Sequence, residues 1–133
     1  MDDELARIRE AKMKELQAKM EQKKSGGVIP VSGQNFNEIL AGSERLVIDF
    51  WAEWCGPCRR VGPVIEELAQ EFAGTVTFGK CNTDENGPIA MQFGISAIPT
   101  ILLFSQGKMV GQIVGAYPKD AFRDQIKKAF GLS

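Results

Sequence analysis

The 133 residues contain no histidine and only three cysteines, and the acidic and basic side chains nearly cancel to a formal charge of −1. Each shortage excludes something. A structural zinc site wants four ligands, so with no histidine and no second CxxC, metal binding is the weaker reading of the one pair, Cys55 and Cys58. Three cysteines are too few to frame a disulfide scaffold. A balanced charge holds no phosphates, so no nucleic acid is expected as a partner. No apolar run approaches the roughly 20 residues of a membrane span, and the acidic start lacks the apolar segment of an export signal. A membrane is therefore not expected as a partner either.

What is present is 44% hydrophobic residues, enough to fill the core of one domain with something extra attached. The extra part is residues 1–27. From Met1 to Lys24 there is no glycine, no proline and no β-branched residue but Ile8, which predicts a helix. Asp2, Asp3 and Glu4 suit its positive end and Lys23 and Lys24 its negative end, before Ser25-Gly26-Gly27 makes a flexible linker. Leu5, Ile8, Met13, Leu16 and Met20 gather on one side, but Arg9, Lys12 and Lys23 share it. That stripe reads as a solvated helix on a short tether rather than a partner-binding or membrane-surface helix. Residues 28–133 form the domain.

Within the domain the chain is organised around Trp54-Cys55-Gly56-Pro57-Cys58. Leu46 to Trp51 before it is an apolar run of strand length, interrupted only by Asp49. After it, Val61, Val64, Ile65, Leu68, Ala69 and Phe72 recur at helical spacing, placing Cys55 near a helix start and Cys58 in its first turn. Unpaired N–H groups and the positive end of the helix dipole stabilise a thiolate there, so Cys55 is the expected nucleophile. Cys58, one turn away, can attack a mixed disulfide formed at Cys55. Pro57 fixes its own φ, and Gly56 leaves room for an incoming disulfide.

Val28 to Val31 can make an edge strand that tolerates Pro30. Asn35 followed by Glu38 suggests a capping box opening a short helix that Gly42 ends. Pro63 interrupts the long helix, which Gly74 closes. Thr75 to Asn82 is a strand with Val76 and Phe78 on one face and Cys81 on the other, as a small buried hydrophobe. Asp84 to Pro88 is loop and Ile89 to Phe93 a short helix. Ile101 to Phe104 and Met109 to Val114 are strands joined at Gln106-Gly107-Lys108. The last helix starts near Pro118, turns Phe122, Ile126 and Phe130 inward, and ends at Gly131.

Asp49-Phe50-Trp51-Ala52-Glu53-Trp54-Cys55-Gly56-Pro57-Cys58 resembles the active-site stretch of the thioredoxin family. The resemblance runs from about Val28 to the C-terminus, and the charged leader resembles that of some archaeal members. Lys80, Ala97-Ile98-Pro99-Thr100 and Val114-Gly115-Ala116 fall where the family keeps a buried lysine, a cis-proline loop and a third groove wall. Gly62 departs from the larger residue common before the helix proline. The resemblance implies a thioredoxin fold of α/β class, a mixed sheet with helices on both faces, and a redox role with no cofactor and no metal. It implies a catalytic set of Cys55, Cys58, Asp49, Lys80, Pro57 and Pro99, with Lys80 partnering Asp49 and Asp49 accepting the Cys58 proton. The implied landing surface is Trp54, Gly56, Pro57, Ile98, Pro99, Val114 and Gly115. Expected partners are disulfide-containing protein substrates and a thioredoxin reductase or equivalent electron donor, for a monomer in the cytoplasm. The alternatives are a disulfide oxidase or isomerase of the same fold, or a non-catalytic binding subunit.

Overall fold

Leu46, Val47, Ile48 and Phe50 are fully buried because their strand, β2 (Arg45–Trp51), lies at the centre of a five-stranded sheet with both faces covered. A computed structural model of the chain describes residues 2–24 and 27–133. In it α1 (Asp2–Lys24) precedes β1 (Val28–Pro30), α2 (Phe36–Gly42), β2, α3 (Gly56–Glu71) and β3 (Thr77–Asn82). Then come α4 (Gly87–Gln92), β4 (Thr100–Ser105), β5 (Lys108–Val114) and α5 (Lys119–Phe130). The sheet order is β1-β3-β2-β4-β5. The first three strands are parallel, while β4 runs antiparallel to β2 and β5 antiparallel to β4. This is the thioredoxin fold, as the sequence led one to expect.

Alternation along the strands splits the core in two. Val47, Phe78, Ile101 and Leu103 pack beneath Val61, Ile65 and Leu68 of α3 and Phe122 and Ile126 of α5. Leu46, Ile48, Phe50, Cys81, Leu102 and Phe104 face α2 and α4. There Phe36 meets Phe93 and Phe104 edge-on, at centroid distances of 5.5 and 6.1 Å. The register pairs Val47 with Phe78 and, two residues on, Asp49 with Lys80. Asp49 therefore points to the α3 side, into the layer that holds the cysteines.

β1 is an edge strand, which is where Pro30 can sit without breaking the ladder. Gln106 and Gly107 form the two-residue turn between β4 and β5 with φ of 50° and 82°, the left-handed pair such a hairpin requires. Gly131 ends α5 at φ 64°.

The start of α2, the end of α3 and the start of β3 differ from the sequence reading in ways that have a physical cause. Asn35 precedes α2, but its side chain makes no capping bond to the helix. Instead Oδ1 accepts from the Ser32 N–H at 2.7 Å and Nδ2 donates to the Pro30 carbonyl at 2.9 Å, so the residue braces the loop and no capping box forms. α3 ends at Glu71, before Gly74, whose φ of 83° serves the turn beyond. The Thr75 and Val76 N–H groups both bond the Phe72 carbonyl, so β3 begins only at Thr77. Leu5, Ile8, Met13 and Leu16 of α1 are each more than half exposed. Met1, the Ser25-Gly26 part of the linker and the Met20 side chain lie outside the described residues. No helix among the described residues is long and apolar enough to cross a membrane.

Candidate active site

The end of β2 delivers the chain to the head of α3, where Cys55 is the N-cap in an extended conformation and Pro57 sits in the first turn. The Cys58 N–H donates to Cys55 Sγ at 3.3 Å, so a helix-start donor points at that sulfur. Cys55 and Cys58 are joined as a disulfide, with Cα atoms 5.3 Å apart. In the bonded pair both residues are buried, Cys55 at 4% exposure and Cys58 at 3%. The two differ in what they face.

Cys55 faces the loop before β4. Its Sγ lies 3.7 Å from the Ile98 carbonyl oxygen, and half-buried Ile98 packs on Ala52, Cys55 and Cys58. The Ile98-Pro99 bond is cis, as the family resemblance implied. The Gly115 N–H donates to the Pro99 carbonyl at 2.9 Å, fastening the end of β5 to this loop. Gly115 has φ 112°, a left-handed conformation that favours glycine, while a Cβ there would meet the Tyr117 ring only at an ordinary contact distance of 3.5 Å. Ile98, Pro99 and Gly115 are thus brought to the disulfide. Gly56 and Pro57, between the cysteines, and Val114, at the end of β5, are exposed, Val114 to 46%. Trp54 is 67% exposed, yet its Nε1 donates to Asp84 Oδ2 at 2.9 Å, which fixes the indole plane. Asp84 was missed in the sequence, and 30 residues of separation leave no spacing signal that would have found it.

Cys58 faces a different space. It lines a cavity of about 150 Å³ under α3 together with Asp49, Trp51 and Lys80. Asp49 is 3% exposed and its Oδ1 has no hydrogen-bond partner. Burial pushes its carboxyl up from the ordinary 3.8 to about 7, with the Lys80 charge partly opposing. Lys80 is half-buried, and its Nζ lies over the Trp51 ring at 5.8 Å from the centroid. Arg59, Gly62 and Glu66 line the same cavity. A projection of α3 from Cys58 at helical spacing could have found them. Three larger surface grooves, of about 690, 660 and 450 Å³, are lined by neither cysteine.

A sulfur pair that can open and close at the head of a helix exchanges electrons with other disulfides, and fold and site together define a thiol-disulfide oxidoreductase. Residues 27–128 match the thioredoxin family model, and the chain belongs to the thioredoxin family. It is similar to thioredoxin of Chlorobaculum thiosulfatiphilum, with 44% identity over 108 residues, 80% of this chain and 100% of that one. Thioredoxin 1 of Synechococcus elongatus is 46% identical over 91 residues, 68% of this chain and 85% of the relative. Among solved structures, a mutant thioredoxin from Halobacterium salinarum superposes with a TM-score of 0.71 at 32% identity, covering 78% and 91% of the two chains. The protein is a protein-disulfide reductase of this family.

Proposed function

We propose that Cys55 is the attacking thiol and Cys58 the resolving one. Cys55 thiolate attacks a substrate disulfide and forms a mixed disulfide. Cys58 then attacks Cys55 Sγ, and the substrate leaves reduced while Cys55 and Cys58 close as a disulfide. The observation that carries this order is the Cys58 N–H aimed at Cys55 Sγ, which favours negative charge on that sulfur, while Cys58 lines the cavity beside Asp49. In this reading Asp49 takes the Cys58 proton as the sulfur attacks, and Lys80 tunes the carboxylate by its charge. Pro57 and the cis Pro99 shape the two sides of the groove, and an extended substrate segment lands on Trp54, Gly56, Pro57, Ile98, Pro99, Val114 and Gly115.

A thioredoxin reductase or equivalent donor returns the dithiol, making the protein an electron carrier in cell redox homeostasis, acting as a monomer in the cytoplasm. Residues 1–27 form an appendage to the domain 28–133. Relatives named thioredoxin support a reductase over an oxidase or isomerase of the same fold. The test is insulin reduction by dithiothreitol, followed by turbidity. The parent is expected to accelerate it, Cys55→Ser to abolish the acceleration, and Cys58→Ser to accumulate mixed disulfide. Accumulation on Cys55→Ser instead would reverse the roles, and no acceleration by the parent would leave a binding subunit.

A further inference from the structure

We propose that Gly62 keeps open the passage through which the proton on Asp49 reaches solvent, its missing side chain leaving clear the mouth bounded by Arg59, Glu66 and Lys80. The inference rests on the reading of Asp49 as the base for Cys58. When Cys58 gives its proton to Asp49 and its sulfur attacks Cys55 Sγ, the bond from Cys55 to the substrate breaks and the substrate sulfur leaves with the electron pair. One proton then remains on a buried carboxyl and has to depart before the next cycle.

The groove side offers it little. There Ile98 packs over buried Ala52, Cys55 and Cys58. The cavity under α3 runs the other way, from buried Asp49 and Cys58 to exposed Arg59 and Glu66 and half-buried Lys80. Gly62 lines it, as do Asp49 and Trp51, whose Oδ1 and Nε1 are buried without a hydrogen-bond partner. A Cβ at position 62 would meet no atom within 4 Å, so no close approach demands glycine here. The backbone is helical there, where glycine is less favourable than alanine. The one local structural benefit is relief of the crowding a Cβ meets before Pro63. That benefit concerns stability alone, whereas an open mouth concerns access to Asp49.

Access is read by chemical rescue. Asp49→Ala removes the base and is expected to slow resolution of a preformed mixed disulfide by roughly 10²-fold. Formate, small and anionic like the lost carboxylate and drawn by Lys80, is expected to restore about tenfold of that at constant ionic strength. Acetate should restore less and propionate least, since the mouth is narrow. Adding Gly62→Leu to Asp49→Ala should abolish the formate effect, with folding of both variants checked by thermal denaturation. Should the double variant not fold, the size series on Asp49→Ala alone decides. Resolution by Asp49→Ala at the parent rate would overturn the base reading and this inference with it. Slow resolution without formate rescue, rescue indifferent to acid size, or rescue that survives Gly62→Leu would overturn the passage and leave Asp49 as the base.

Discussion

Asp49 and Lys80 are register partners on adjacent parallel strands, yet Lys80 Nζ lies over the Trp51 ring and forms no direct ion pair with the carboxyl. The lysine therefore only moderates a shift that burial dominates, and the carboxyl's pKa stands at about 7.

The consequence for stability has a definite sign. A folded pKa above the unfolded one means the native state holds the proton more tightly, so stability is full below about pH 4 and falls as pH rises toward 7. At ~1.4 kcal/mol per pH unit over about three units, ionising Asp49 in the fold costs about 4 kcal/mol at neutral pH. Asp49→Asn removes that cost and introduces a buried amide, for a net gain of about 2 kcal/mol at pH 7 that shrinks to nothing or reverses near pH 4. Urea denaturation of both proteins across pH checks it. A variant less stable than the parent at pH 7 refutes the claim.

This pairing also marks where the sequence stops being informative. The apolar run Leu46 to Trp51 announced a central strand, and the helical period after Cys58 announced α3, because burial patterns are local in the chain. The helix cap at Asn35 was misread because its side chain chose the Ser32 and Pro30 backbone, a competition settled by loop geometry. The bond from Trp54 to Asp84 and the turn of Lys80 toward Trp51 depend on how separate strands meet, which no spacing encodes. Asp49 and Cys58 were placed in one site by family resemblance, and their shared cavity became visible only in three dimensions.

Deleting residues 1–25 should leave the domain's stability and insulin reduction nearly unchanged. Leu5, Ile8, Met13 and Leu16 of α1 are all more than half exposed, so these side chains bury little against the domain. The expected fall in Tm is less than about 5 °C, roughly 1 kcal/mol for a domain of this size. A larger fall in a thermal scan would show that the helix contributes to the core.

Gly79→Ala should destabilise the fold. β3 lies between β1 and β2, and a Cβ at position 79 would come within 2.6 Å of Val31 Cγ2 and 3.2 Å of the Ile29 carbonyl oxygen. Valine is stiff at χ1 and the carbonyl belongs to the ladder, so neither yields without moving β1. The cost is about 1–3 kcal/mol, measured by chemical denaturation. An unchanged midpoint would mean that the edge strand β1 moves freely.

The three thiols of the reduced protein should differ in their rates of alkylation, and the order follows from what each sulfur faces. Cys55 has the Cys58 N–H aimed at its sulfur and sits at the groove where Gly56 and Pro57 are exposed. Cys58 lies one turn inside, lining the cavity with Asp49, whose carboxylate disfavours a second negative charge beside it. Cys81 is fully buried between the sheet and α4, and burial pushes its thiol up to about 11, so almost none is thiolate at neutral pH. Since the thiolate is the species that reacts, limiting iodoacetamide at pH 7 should modify Cys55 well ahead of Cys58, and Cys81 only after unfolding. Peptide mapping by mass spectrometry reads the order directly. Early labelling of Cys81 would contradict the packing of α4, and early labelling of Cys58 would contradict the assignment of Cys55 as the attacking thiol.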